Sequence, residues 1–413
     1  MPRHLRPGDL PGALPPGGLT LVSSSPAESD LLSAEVTSAG TALGPMTFSG
    51  IFVPGLNKAT WNAGPDSRVL TFFQTPELRK EGPRSEFLPL CYQDILRLYR
   101  HLKPTAAMFM CSPPDAEGMC SFGAETGFIA ALWRDIPIRI AHINPAMPRT
   151  PGDPGIPLAE ISAFYEQAQP LRTTVGGTDP VSETIASAIA PLVPDGATLQ
   201  TGLGRIPDAV LRALSGHRNL RLYSGLIGDG ALALVRSGAM ASGRSALAGV
   251  AIGSPELYAA LDHEHFQFRP VTVTHDPVTL AGIARLVTIN SAMEVDLYGQ
   301  VHAEASSRGF MSGPGGAGDY ARGARASTGG LRIIALPSEA GSISRIVPAG
   351  QGHGPVSLSR FDVDIVVTEH GIADLRNKGH EARAQALAAI AAPNHREELA
   401  RGWRNGMQAL QER

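Results

Sequence analysis

The sequence predicts an α/β protein with parallel-rich sheets, on three observations. Short apolar runs recur along the chain, amphipathic stretches separate them, and glycine- or proline-marked turns stand at the joins. A chain of 413 residues is long for a single core, so two domains are expected.

The elements follow in order. Leu19–Val22, Thr47–Val53, Arg68–Phe73, Ala106–Cys111 and Ile138–Ile143 are apolar runs of strand length. Glu86–Leu102 and Glu125–Trp133 carry helical spacing. Val181–Leu192 follows Thr178-Asp179-Pro180, a capping signal, and reads as a helix. Thr198–Thr201 is then a strand, Gly202-Leu203-Gly204 a turn, and Pro207–Leu214 a helix with proline near its first turn. Arg285–Ile289, Arg332–Leu336 and Val363–Thr368 are further strands, and Glu381–Ala392 and Arg396–Gln411 form a helical tail. The polar stretch Leu171–Asp179 is the natural boundary, which gives domains of 1–172 and 173–413.

Composition narrows the function. Apolar residues make up 43% and charged residues 18%, as in a soluble globular protein. A net charge of −3 offers no basic face, which argues against nucleic acid and anionic membrane surfaces. No segment approaches the ~20 apolar residues of a membrane span, and the Pro/Gly-rich N-terminus lacks an apolar signal core. A cytoplasmic protein is expected. Cys91, Cys111 and Cys120 have neither CxxC spacing nor an even count, which suits unpaired thiols and gives no metal-site pattern. Lysine is confined to Lys58, Lys80, Lys103 and Lys378.

Several long motifs then carry a resemblance. They are SPPDAEGMCSFG (Ser112–Gly123), INPAMPRTPGD (Ile143–Asp153), DGATLQTGLGRIPDAVL (Asp195–Leu211), INSAMEVDLYGQVHAE (Ile289–Glu304), SGPGGAGDYARGA (Ser312–Ala324), SRIVP (Ser344–Pro348) and VVTEHGIADLRNKG (Val366–Gly379). Across roughly residues 105 to 400 the chain resembles the acetyl-CoA hydrolase/transferase family, the class I coenzyme A transferases of the 4-hydroxybutyrate CoA-transferase kind. The resemblance implies two similar α/β domains of the CoA-transferase type, a site in the cleft between them and a homodimer. It also implies an acyl-CoA substrate, with a small carboxylate as acceptor, and no covalently bound cofactor. In that family a glutamate attacks the thioester and carries first the acyl group and then CoA, splitting one hard step into easier ones.

At that glutamate the chain departs. The family reads Tyr/His-Ser/Thr-Glu followed shortly by Asp-Gly, whereas Asn219–Gly230 reads NLRLYSGLIGDG and places Gly225 at the nucleophile position. Glycine has no side chain, so no anhydride forms there. A second departure concerns charge. Where the family often reads STAKGGKISRIVP, the segment from Ser338 to Pro348 is shorter and has neither lysine, the first of which resembles a CoA contact. The 3′-phospho-ADP end of CoA loses part of its anchor.

Other positions keep the pattern. Gly202, Leu203, Gly204, Arg205 and Ile206 resemble the CoA-contacting loop, where glycine permits close backbone approach and the helix start attracts anions; a tight strand–helix turn explains the glycines equally simply. Met293, Ser312 and Gly316 fall at CoA-contact positions of the family, and the glycine loop from Ser312 to Gly316 supplies amides of the kind that polarise a carbonyl oxygen, although a structural turn would need the same residues. Glu294 and Asp296 alternate at strand spacing; Glu294 is a candidate base, and shaping of the cleft is the plainer role. Glu369, His370, Asp374, His302 and His275 are read as structural or exposed.

Three readings remain. In the first, water enters the space left at Gly225 and the chain hydrolyses a small acyl-CoA, or an acyl thioester on the phosphopantetheine of a carrier protein, without a glutamyl-CoA intermediate. In the second, a catalytically silent relative binds or senses acyl-CoA. In the third, transfer survives with a nucleophile from elsewhere. This account would fall if an acidic side chain from another segment filled the spot left bare at 225, poised toward the cleft between the halves.

Overall fold

The computed structural model describes residues 2–174, 176–307 and 309–411. The chain divides into two compact units. The first is Met1–Val175 with Ser224–Ile227 and Gly243–Asp276, and the second is Gly176–Tyr223 with Gly228–Ser242 and Pro277–Arg413.

The first unit is built on an eight-stranded sheet in the order Arg3–His4, Ala163–Glu166, Ile138–Ile143, Ala106–Cys111, Leu19–Val22, Thr47–Gly50, Arg68–Thr71 and Ser85–Phe87. Every pairing in it is parallel. Its central strand, Ala106–Cys111, is buried at all six positions. That is what a parallel strand covered on both faces requires, and it explains the unbroken apolar run. The two faces have separate cores, one around Phe109, Phe122, Phe128 and Tyr99, the other around Phe48, Phe52, Trp61 and Met108.

A second eight-stranded sheet has the order Phe266–Phe268, Ala246–Ala251, Arg221–Ile227, Thr198–Thr201, Leu286–Ser291, Leu331–Ala335, Ile365–Thr368 and Gly371–Asp374. From Arg221–Ile227 to Ile365–Thr368 the strands run parallel, and Gly371–Asp374 returns antiparallel. Small hairpins of the second unit, Glu294–Asp296 with Val301–His302 and Glu339–Ala340 with Ile343–Ser344, stand apart from it.

Two expected helices start later than their spacing suggests. Glu86 belongs to the strand Ser85–Phe87, and the helix is Tyr92–Leu102. Pro89 cannot continue a helical hydrogen-bond ladder, which delays the start. Glu125 is likewise not helical. It forms an antiparallel bridge with Val250, and the helix is Gly127–Leu132. Among the described residues no helix is long and apolar enough to cross a membrane.

Candidate active site

Gly225 lies in the extended strand Arg221–Ile227, a backbone that any residue adopts. Its glycine is therefore not a conformational necessity. The neighbouring strand crowds it: a Cβ built on Gly249 would stand 3.0 Å from the Gly225 carbonyl oxygen. Gly249 in turn fixes the segment before the Gly127–Leu132 helix. Its carbonyl accepts from Thr126 N at 3.0 Å and from Thr126 Oγ1 at 2.8 Å, while Ala251 N donates to Ala124 O at 2.9 Å. This ladder, local to the first unit, carries Glu125 to the strand beside Gly225.

A cavity of about 20 Å³ results, lined by Ser25, Tyr92, Glu125, Gly225, Gly249 and His275 among others. That is room for about one water molecule. Glu125 is half-buried. Ser24 N donates to its Oε2 at 3.2 Å and Ser24 Oγ to its Oε1 at 3.4 Å. Desolvation pushes the Glu125 carboxyl well above the usual carboxylate range and the Glu28 charge adds to this, while the Ser24 bonds oppose. Across the cavity His275 is buried, its ring 4.6 Å from that of Tyr92 and its Nδ1 2.9 Å from Thr274 Oγ1. Burial pushes His275 down to about 3, so it is neutral at ordinary pH.

The wall of this cavity holds backbone strain. Ser25 has φ +49°, in the left-handed region that side chains avoid. Asn57 clamps it, accepting from Ser25 N at 3.1 Å and donating to Ser25 O at 3.1 Å. Strain of this kind persists where surrounding contacts over-determine a conformation, and it gathers at functional sites.

The motif around Gly225 also has an architectural half. Gly230 N donates to Asp208 Oδ1 at 3.0 Å, and a Cβ on Gly230 would stand 2.8 Å from the Asp208 Cα. A Cβ on Gly228 would stand 2.8 Å from Asp208 Oδ1. Gly228 and Gly230 thus pack a helix start against the helix Arg205–Ala213 of the second unit.

In the second unit Gly202 and Met293 lie just past the carboxyl ends of the central strands Thr198–Thr201 and Leu286–Ser291. Thr198–Thr201 leads into Gly202, whose amide donates to Ile289 O at 3.1 Å. Gly204, at φ +124°, caps Arg205–Ala213, a helix starting two residues before the predicted Pro207. Leu203 lies in this turn, Ile206 is buried inside the helix, and Arg205 is exposed, 3.8 Å from Asp179. Gln200 and Asn290, buried on the flanking strands, exchange amide bonds of 3.1 and 3.0 Å beneath the turn. Met293 follows the strand Leu286–Ser291 and donates its amide to His302 O.

Glu294 is buried, and its carboxylate is held by His353: Nδ1 lies 2.8 Å from Oε1 and the His353 amide donates to Oε2 at 2.8 Å. Asp296 accepts from the amides of Tyr298, Gln300 and Gly350 and is a turn organiser. The Ser312 amide donates to Glu304 O, and Gly316 opens the helix Ala317–Ala326. Glu304, in the same motif, has a buried Oε2 without a hydrogen-bond partner among the described residues, and desolvation raises its carboxyl against the bond from Ser357.

Position 225 has no side chain, but Glu125, from a distant segment, lines the same cavity. Sequence reading absorbed Glu125 into a helix and set His275 aside. Gly123 and Gly249, each with a backbone oxygen close by, and Gly127, at φ +30°, were the available signal here.

Comparison with known proteins agrees with this architecture. Residues 253–402 match the acetyl-CoA hydrolase/transferase C-terminal domain. The chain is 36% identical over 328 residues to the 4-hydroxybutyrate coenzyme A transferase of Clostridium kluyveri, covering 76% of each. Among solved structures, RipA from Yersinia pestis superposes with a TM-score of 0.90 at 27% identity, covering 98% of both chains. A 4-hydroxybutyrate CoA-transferase (abfT-2) from Porphyromonas gingivalis superposes at 0.81 with 29% identity, covering 98% of this chain and 97% of its own. Two α/β units with large parallel sheets define a CoA-transferase fold. The chain belongs to the acetyl-CoA hydrolase/transferase family.

Proposed function

We propose that the chain is an acyl-thioester enzyme that cleaves a small acyl-CoA, or a carrier-bound acyl thioester, without passing through a glutamyl-CoA intermediate at position 225. The observation that carries this reading is Gly225 itself. By the sequence resemblance it falls at the position of the family's nucleophile, in the strand Arg221–Ile227 and shortly before the helix that begins at Asp229. Loss of such a nucleophile costs orders of magnitude in a double-displacement cycle. Water that reaches the same carbonyl needs only positioning and a base.

Coenzyme A, or the phosphopantetheine arm it shares with carrier proteins, would lie along Gly202–Ile206, Met293, Ser312 and Gly316. The hairpin Glu339–Ser344 supports a carrier, because its segment has neither of the lysines that the family pattern carries there. Glu294, with both oxygens facing His353, orients that histidine rather than abstracting a proton. A homodimer, halves of 1–172 and 173–413, and a small carboxylate as competing acceptor belong to the same reading.

The test is free-thiol release from a panel of short acyl-CoAs and acyl-carrier thioesters, with intact-mass measurement of the protein. Thiol release with an unmodified protein is expected. Tight binding of acyl-CoA with no release would instead establish a silent, binding relative.

A further inference from the structure

We propose that Glu125 is the catalytic carboxylate of this chain: it holds and deprotonates the water that attacks the thioester, taking over from a distant segment the place left bare at Gly225. The inference rests on the acyl-thioester reading above.

Geometry carries it. Glu125 and Gly225 line one cavity of about 20 Å³, sized for one water. Glu125 is brought there by its bridge to Val250 and by the Thr126 bonds to Gly249, the residue that leans on Gly225. A second cavity of about 20 Å³, on the side of Ser24 and Tyr99, is also lined by Glu125. The carboxylate thus stands between two water-sized spaces, with Ser24 fixing its orientation. The charge and polar groups facing it are Ser24, the Glu28 carboxylate and, across the cavity, neutral His275 and the Tyr92 ring. None of these neutralises it, so burial leaves it a stronger base than an exposed glutamate. Glu294 lacks these features, since His353 occupies its oxygens and it belongs to the other unit.

The step balances. Glu125 takes a proton from the water as the water oxygen bonds to the thioester carbonyl carbon. The carbon–sulfur bond then breaks, sulfur leaves with the bonding pair, and the proton on Glu125 passes to it. The products are a carboxylic acid and a free thiol. No enzyme-bound acyl group forms.

The experiment compares wild type, Glu125→Gln and Glu125→Asp with acetyl-CoA and butyryl-CoA. Thiol release, intact mass and thermal midpoint are measured from pH 5 to 9. Glu125→Gln is expected to lower kcat by ~10²–10⁴-fold, the usual share of general-base help, with KM little changed. Glu125→Asp should retain part of the rate. The acid limb of the wild-type pH profile should vanish in Glu125→Gln. A carboxyl raised by burial binds its proton more tightly folded than unfolded, so its ionisation lowers stability as pH rises; Glu125→Gln should therefore melt higher than wild type at pH 8. Unchanged turnover in Glu125→Gln overturns the proposal and leaves the thioester reading standing. An acyl or CoA adduct on Glu125 overturns the base role in favour of a nucleophile. Absence of thiol release from wild type, with acyl-CoA bound, overturns the thioester reading and this proposal with it.

Discussion

Glu125 and Gly225, far apart in the sequence, face one water-sized cavity because the Glu125 segment bridges the strand beside Gly225. One position has lost its side chain and the other offers a carboxylate to the same space. The consequences can be tested at each position separately.

Exchange of the two side chains is the most direct probe. Gly225→Glu alone places a second carboxylate in a cavity that holds about one water, and like charges at short range keep one of the pair protonated. We expect it to destabilise the fold by about 1–3 kcal/mol through overpacking, read by urea denaturation, without restoring turnover. Combined with Glu125→Ala the crowding is relieved. The double variant should then form an acyl or CoA adduct at residue 225, detectable by peptide mass analysis, provided CoA still binds.

His275 sets an acid limit on stability. Its folded pKa of about 3 lies below its ordinary value, so the unfolded chain binds more protons between about pH 3 and 6.5. Stability from this group is full above about pH 6.5 and is lost as pH falls through that window. His275→Gln should flatten the curve of urea midpoint against pH between 6.5 and 4. A curve with unchanged slope would show that His275 is not the group responsible.

Gly230 should tolerate no side chain. Gly230→Ala drives a methyl to 2.8 Å from backbone atoms of Asp208, which cannot swing aside as a long side chain would. A loss of about 1–3 kcal/mol is expected from chemical denaturation. Gly238→Ala is a useful control for site dependence: no neighbouring atom lies within 4 Å, but its φ of +81° adds strain of its own.

Much of the scaffold was legible because the physics is local. Leu19–Val22, Ala106–Cys111, Ile138–Ile143 and Thr198–Thr201 are strands with the bounds their apolar runs suggest. The Gly202–Gly204 turn was legible as a strand-to-helix junction, and the structure adds a positive φ at Gly204. What the sequence hid depends on distant pairing. Glu125 carries good helical spacing with the residues after it, yet Gly127 at φ +30° and the long-range bond from Thr126 to Gly249 pull it out of the helix. His275 looked incidental beside Asp276 and Pro277, and only tertiary packing places its ring against Tyr92. Glu294 looked available, and His353, distant in sequence, was the partner no spacing rule would supply.

The bond from the Gly230 amide to Asp208, and the tight fit of both glycines against that residue, separate grammar from meaning in this stretch of chain. Gly228 and Gly230 hold a helix junction in register against Asp208 whatever reaction takes place nearby. A pattern keyed to them will retrieve chains with quite different chemistries, so anyone sorting such chains by activity should inspect the letter at 225 and the letter at 125 together.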